Sequence, residues 1–268
     1  MATLNFHVRH EVTPERVWDV LDAIVRELEY EHITQFDRQL SRLRQLGLVT
    51  IRGDIKPTED GHEIHRIGSR RLEVVWDLFH FLHFVRWRAS NPTTDTMFFT
   101  YYEYCNLLYS KREIEITNQR EAFAAEMTSR ISTSSYFADE LSKLVKGAVS
   151  LSVNSLTGVE HWLEKLSPEA IIDERFTLRH YCSPELLLLA LGYVTEITDA
   201  QLEIEQPLTE ERRELLCRSC LIDENALNQM LDWLYPEYPD YVQPGTRTGS
   251  YGRFVRVLQL PSLKDLLR

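Results

Sequence analysis

The chain has 268 residues, of which 43% are apolar and 26% charged, and its formal net charge is −11 at pH 7. This apolar fraction can fill the core of one large domain or two smaller ones, which excludes a disordered protein. The acidic balance argues against a protein that coats nucleic acid over its whole surface, because affinity for phosphate comes from Lys and Arg.

The N-terminal segment MATLNFHVRHEV alternates apolar and charged residues and lacks the apolar stretch of a signal peptide. No run of about 18 apolar residues occurs anywhere in the chain, so no membrane-spanning helix is expected. The sequence therefore predicts a soluble, cytoplasmic protein with no membrane contact.

The first 71 residues predict helices interrupted by a β-hairpin. A Thr-Pro pair that caps a helix, a glycine that ends one, and a turn-forming Arg-Gly-Asp set the boundaries. In chain order we expect a helix from Thr13-Pro14 to about residue 29, a helix from Thr34 to Gly47, strands at 48–51 and 55–56, and a helix capped by Thr58.

From Leu72 onward the pattern is helical. Two segments rich in aromatic residues, 72–87 and 94–109, are apolar on almost all sides, so they are expected to be central helices. Ser167-Pro168 and Ser183-Pro184 both resemble helix starts. Further helices are predicted at about 118–131, 136–147, 155–166, 184–195, 209–221 and 224–234, followed from Pro236 by a loop and one extended or helical piece.

The basic residues are concentrated in two regions. Residues 34–71 contain eight Lys or Arg and five Asp or Glu, and residues 244–268 contain five and one. Residues 72–243 contain fourteen and twenty-eight. Such an acidic body with two basic regions is typical of a protein that contacts an anion at one edge and other proteins elsewhere, although solubility alone would also explain it.

The order helix, helix, hairpin and helix in residues 8–71 resembles the winged helix-turn-helix proteins. The residues that carry the resemblance are Leu40, Leu43, Leu46, Gly47, Leu48 and Val49 at the end of the recognition-type helix, Arg52 and Gly53 at the wing tip, and Thr58 to Gly61 after it. The resemblance implies a winged-helix-like domain at 1–71, and the helical pattern after it predicts a multi-helix domain at 72–268 that ends in a segment rich in Pro, Gly and Tyr, so the protein is expected to be mainly α.

The second predicted helix has a face that carries no acid. On a helical wheel Leu40 and Leu43 point one way and four polar residues point the other, namely Gln35, Arg38, Arg42 and Gln45. Arg can pair bidentately with guanine and Gln with adenine in the major groove of double-stranded DNA. Arg52 at the wing could reach a phosphate, and Arg253 and Arg256 in the basic tail could form a second anchor.

Two other clusters are more easily explained by the core than by metal. Cys217 and Cys220 have the spacing of zinc ligands, and His180 and Cys182 could complete a site, but a helical CxxC more often packs as buried thiols. His80 and His83 share one face of an aromatic helix, where we expect satisfied core histidines. No catalytic motif occurs, so the sequence predicts no enzyme, no cofactor and no metal site.

The whole layout is similar to helical accessory proteins of prokaryotic phage-defence systems of the BREX type, which implies antiviral defence. We therefore predict a non-enzymatic, DNA-associated accessory or regulatory protein, in which a homodimer would pair two half-sites. The alternative is a protein-interaction scaffold in a larger complex, with the acidic helical body as contact surface and no direct DNA contact.

Overall fold

The computed structural model describes residues 6–27, 36–50, 54–89, 96–137, 151–247 and 252–266. Over these ranges the chain is mainly helical, as predicted. The described α-helices are α1 Pro14–Val25, α2 Asp37–Gln45, α3 Glu59–Gly68, α4 Leu72–Ala89, α5 Thr96–Lys111, α6 Arg120–Ser132, α7 Val153–Leu163, α8 Pro184–Ile197, α9 Glu210–Cys220 and α10 Glu224–Glu237. None of them is long and apolar enough to cross a membrane.

The strands are short and form three small antiparallel sheets in the described part of the chain. The hairpin β1 and β2 stands alone, β5 lies between β3 and β4, and β8 lies between β6 and β7. Their bounds are β1 Val49–Thr50, β2 Lys56–Pro57, β3 Glu113–Glu115, β4 Ile171–Ile172, β5 Arg175–Thr177, β6 Glu205–Pro207, β7 Val242–Thr246 and β8 Arg253–Val257.

The helix ends and the hairpin of the N-terminal region lie close to where the capping and turn residues of the sequence predicted them. Gly47 adopts φ +77° after α2, the left-handed conformation predicted for this helix end. Val49 pairs with Pro57 across the hairpin, and the Thr58 hydroxyl caps α3 by accepting from the Gly61 amide at 3.1 Å. The helix α1 ends at Val25, four residues earlier than expected. The turn at 51–53 and the connection at 28–35 lie outside the described residues, so the winged-helix relationship stays a prediction.

Two later expectations had different outcomes at similar Ser-Pro pairs. Ser183 caps α8 as predicted, accepting from the Leu186 amide at 3.3 Å. Ser167-Pro168 does not begin a helix: the residues that follow it form β4 and β5, and β5 pairs with β3. That prediction was wrong because strand pairing with a distant segment overrides a local capping signal. Most of the predicted helix at 136–147 lies outside the described residues.

One hydrophobic core runs through the described part of the chain. The helix α4 packs against α3, α5, α7, α8 and α9. The core contains Leu21 and Leu43 from before residue 71 together with Phe79, Phe98 and Trp162 from after it. The N-terminal helices are therefore not separated from the helical body by a break in the core, and the division at residue 71 stays a prediction.

Candidate anion-binding site

The polar face of α2 lines a cavity of about 250 Å³. The opposite wall is the extended segment 6–12, and Met97 of α5 closes one side. The polar residues of the lining are His7, Arg9, Asp37, Arg38, Ser41, Arg42 and Gln45. The sequence predicted three of these residues as one face, but it expected that face to be uncovered and turned away from the core.

The segment 6–12 is held in place by alternating contacts. Phe6 and Val8 are buried, whereas His7 and Arg9 between and after them are exposed. The Phe6 carbonyl accepts from the Thr100 hydroxyl at 2.8 Å. Gly158 of α7 lies so close that a Cβ there would be 2.4 Å from the Val8 carbonyl oxygen. This close packing fixes the wall that carries Arg9.

Arg42 does not point away from the core as predicted. Only 3% of the Arg42 surface is exposed to solvent. One guanidinium nitrogen donates to His83 Nε2 at 2.8 Å, and the guanidinium carbon lies 5.9 Å from the centre of the Phe98 ring and 6.0 Å from that of Trp162. The long side chain thus passes between α2 and the helical body, where aromatic faces stabilise its charge. The prediction that Arg42 reads a DNA groove from an open surface is wrong in this respect.

The partners of His83 define its protonation state. Its Nδ1 lies 2.7 Å from the Phe79 carbonyl oxygen, which can only accept, so Nδ1 carries the proton. Its Nε2 therefore accepts from Arg42, and the ring is neutral. Burial lowers the pKa of His83 well below its usual value, and the charge of Arg42 lowers it further. A neutral His83 leaves the positive charge of Arg42 intact at the inner wall of the cavity.

The other two arginines of the cavity are more accessible. Arg38 pairs with Glu11 at 2.8 Å, and its side chain remains 51% exposed. Arg9 is exposed and forms no ion pair with the residues that the structure describes. Against three guanidinium groups the lining contains one carboxylate, Asp37, so its charge is +2 when His7 is neutral. The cavity can therefore attract an anion, although Glu11 competes for Arg38.

The remaining predicted site residues divide into three groups. Gln45 lies in the cavity lining, as its place on the same face as Arg38 requires. Gln35 and Arg52 lie outside the described residues. Arg253 and Arg256 are on β8 and do not line the cavity.

Three arginines of the basic tail pair with two of the protein's own carboxylates. Arg253 pairs with Asp232, and Arg256 pairs with Glu205 at 3.2 Å. Arg247 pairs with the same Glu205. The expected second anchor is therefore not a free positive patch, because acids distant in the sequence fold onto it.

The histidine and cysteine clusters belong to the core. His80 Nε2 donates to the Ser219 carbonyl at 3.0 Å, and its Nδ1 accepts from the Tyr101 hydroxyl at 2.8 Å. The four cysteines, Cys105, Cys182, Cys217 and Cys220, are free and buried, as predicted for packed thiols. Among the described residues no group of three or more His, Cys, Asp or Glu is arranged to hold a metal ion.

We expect that none of the four thiols reacts with a soluble disulfide reagent while the protein is folded. Burial raises the pKa of the Cys105 and Cys182 thiols well above the usual value, and the reactive species is the thiolate. Titration with Ellman's reagent should detect four thiols only after unfolding. Glu121→Cys, at an exposed position, provides a control that reacts at once. Stoichiometric release from the folded wild type would contradict the buried placement.

Comparison with protein-family models, with curated proteins and with solved structures finds no match to this chain. The functional argument therefore rests on the cavity itself. Sequence reasoning missed four of its polar residues, His7, Arg9, Asp37 and Ser41, and Asp37 also contradicts the prediction that this face carries no acid. The alternation of residues 6–9 was a visible signal for the first two, because every second side chain of an extended segment points away from the core.

Proposed function

We propose that the protein is a non-enzymatic, nucleic-acid-associated accessory protein that holds a backbone phosphate of DNA in the cavity between α2 and residues 6–12. The observation that carries this proposal is the presence of Arg9, Arg38 and Arg42 in the lining of one cavity of about 250 Å³ that has a single lining carboxylate. Guanidinium groups are well suited to phosphate because they donate two parallel hydrogen bonds to it.

The three arginines would have different roles. Arg42 is fixed in the core and supplies a positive charge that does not need to be ordered on binding. Arg38 and Arg9 would close on the phosphate from opposite walls, with Arg38 exchanging Glu11 for the ligand. Ser41 adds a hydroxyl and Gln45 adds an amide as further donors.

This geometry favours contact with the backbone over reading of bases. A recognition helix must lie with its side chains in the major groove. Of the two arginines on α2 that were predicted to contact DNA, Arg42 is turned into the protein. Phosphate contacts position a protein on nucleic acid without selecting a sequence. Sequence selectivity, if a larger assembly has it, would then come from another component.

A protein-interaction scaffold is the second candidate. The exposed aromatic residues on α10, Trp233 and Tyr235, favour it, because such residues are common at the centre of protein interfaces. The two functions are compatible, since no residue of α10 lines the cavity between α2 and residues 6–12. As part of the nucleic-acid-associated function, we also propose that the protein belongs to a phage-defence system and forms a homodimer.

The test is a charge reversal of the two accessible arginines, Arg9→Glu with Arg38→Glu. Fluorescence anisotropy of a labelled duplex at about 50 mM salt, where phosphate contacts are strong, should show binding by the wild type that weakens steeply as salt is added. The double variant should lose this binding, because each reversal replaces an attraction for phosphate by a repulsion.

The matched control reverses two arginines of similar exposure outside the cavity, Arg26→Glu with Arg175→Glu, whose side chains are 61% and 62% exposed. It changes the net charge by the same amount and should bind within about twofold of the wild type, since distant exposed charges are screened. Equal losses in the two double variants, or no binding by the wild type at low salt, would contradict the proposal.

A further inference from the structure

A second cavity, of about 310 Å³, lies between the start of α4, the loop before α8 and the surface of α10. Its floor is apolar and includes the buried residues Val74 and Met230. Two aromatic side chains, Tyr181 and Trp233, line it while remaining exposed to solvent. It shares no lining residue with the arginine-lined cavity described above.

Trp233 has no structural role that explains its position. The side chains that attach α10 to the core are Ala226, Leu227, Met230, Leu231 and Leu234. Trp233 falls outside this stripe and is 58% exposed, the highest value among the exposed large apolar residues that the structure describes. An aromatic residue that the fold does not bury, placed at a cavity, is typical of a contact residue for a partner.

The cavity is acidic. Its lining contains Glu73, Glu185 and Glu237 against Arg71, a balance of −2. Glu73 and Glu237 are exposed at the rim, whereas Glu185 is only 1% exposed. An occupant of complementary charge is therefore a cation.

Glu185 provides an unused hydrogen-bond acceptor. Its Oε1 accepts from the Arg71 guanidinium and from the Tyr238 hydroxyl at 3.2 Å. Its Oε2 is buried and accepts no hydrogen bond from the described part of the chain. Leaving a buried carboxylate oxygen without a donor is unfavourable, so the negative charge of Glu185 is only partly compensated by Arg71 and Tyr238.

We propose that this cavity, defined by Tyr181, Trp233, Glu185 and Glu237, binds an arginine side chain of a partner protein. A guanidinium is planar, so it can stack on the Trp233 or Tyr181 ring, and its several donors can pair with the rim carboxylates of Glu73 and Glu237 at the same time. A lysine ammonium lacks the plane and the fork of donors. An uncharged side chain would leave the rim charge without compensation.

The probe is the capped tripeptide acetyl-Gly-Arg-Gly-amide, added to the ¹⁵N-labelled full chain. The protein has five tryptophans, and the Trp233 indole signal is identified by its loss in Trp233→Phe. We expect a saturable shift of this signal with the arginine peptide, about tenfold weaker binding of the lysine peptide, and no shift with the norleucine peptide.

Variants at exposed positions keep the fold and separate the contributions. Trp233→Ala and Glu237→Gln should each weaken binding of the arginine peptide by about tenfold. Tyr235→Ala, which removes another exposed aromatic residue of α10 that does not line the cavity, should leave binding unchanged. Unchanged thermal midpoints would show that these effects are not losses of fold.

Each other outcome overturns the proposal in a defined way. If the lysine peptide binds as tightly as the arginine peptide, the cavity is not specific for a guanidinium. If the norleucine peptide binds as tightly, the cavity recognises only an apolar side chain. Binding of free L-arginine as tight as that of the capped peptide would indicate a small-molecule site. No shift with any probe, or a loss caused equally by Tyr235→Ala, would also contradict it.

Discussion

Replacement of Asp77 with alanine is expected to lower the free energy of unfolding by about 3–5 kcal/mol, because it leaves a buried guanidinium without its counter-ion. Asp77 of α4 and Arg179 are both fully buried, and their Oδ1 and guanidinium nitrogen are 2.7 Å apart. The second Asp77 oxygen accepts from the Ser183 amide at 2.8 Å, at the cap of α8. Arg179 also donates to the Cys220 carbonyl at the end of α9. One ion pair thus connects three helices.

Urea unfolding at neutral pH, followed by circular dichroism, measures this loss. The matched control is Asp232→Ala, which removes an exposed partner of Arg253 and should cost less than about 1 kcal/mol. The double variant Asp77→Leu with Arg179→Met removes both charges and should recover much of the loss, since no charge then remains unpaired in the core. Equal costs for Asp77→Ala and Asp232→Ala would show that the pair is not buried in solution.

The features of the fold that depend on neighbouring residues could be predicted from the sequence. Thr58 and Ser183 cap helices because a hydroxyl at that position accepts from an amide three residues later, whatever lies elsewhere in the protein. Gly47 ends α2 for an equally local reason. Ser167-Pro168 carries the same signal as Ser183-Pro184, but pairing of β5 with β3 decides that region, and this pairing joins residues about sixty positions apart.

The error at Arg42 has a specific physical cause. A helical wheel assigns each residue to one apolar or one polar side, which assumes that a helix packs on a single surface. The helix α2 packs on α1 through Leu40 and Leu43, and Arg42 extends toward α4, α5 and α7 on another side. The sequence did predict that His83 is a satisfied core histidine. It could not predict that the satisfying partner is Arg42, because the two residues are 41 positions apart.

The local charge of the C-terminal segment 244–268 also depends on residues that are distant in the sequence. Counting along the chain gives residues 244–268 four more basic than acidic residues. In the folded protein Glu205 and Asp232 lie against Arg256 and Arg253, so two of these positive charges are compensated. Charge counts along a sequence predict composition, whereas the potential at a surface depends on which distant side chains fold together.

Acidification below about pH 6.5 is expected to destabilise the protein through His80 and His83, the two buried histidines among the residues that the structure describes. Burial lowers the pKa of His80 to about 4, and burial together with Arg42 lowers the pKa of His83 well below its usual value. The titratable or charged groups near them are Tyr101, Arg179 and Asp77 for His80, and Arg42, His80 and Tyr101 for His83. A folded-state pKa below the unfolded value means that the unfolded chain binds the proton first. The stability is therefore complete above about pH 6.5 and falls as the pH drops toward about 4.

Each of these histidines contributes a slope of up to about 1.4 kcal/mol per pH unit in that range. His83→Gln keeps an amide that can donate to the Phe79 carbonyl and an oxygen that can accept from Arg42, but it cannot take up a proton. Urea unfolding at several pH values should show a dependence on pH that is shallower by about this slope, even if the variant is less stable throughout. His62→Gln, at an exposed position of α3, serves as the control and should keep the wild-type slope. A wild-type slope in His83→Gln would mean that protonation of the unfolded His83 does not drive the loss, and the assignment of a neutral His83 beside a charged Arg42 would then be incorrect.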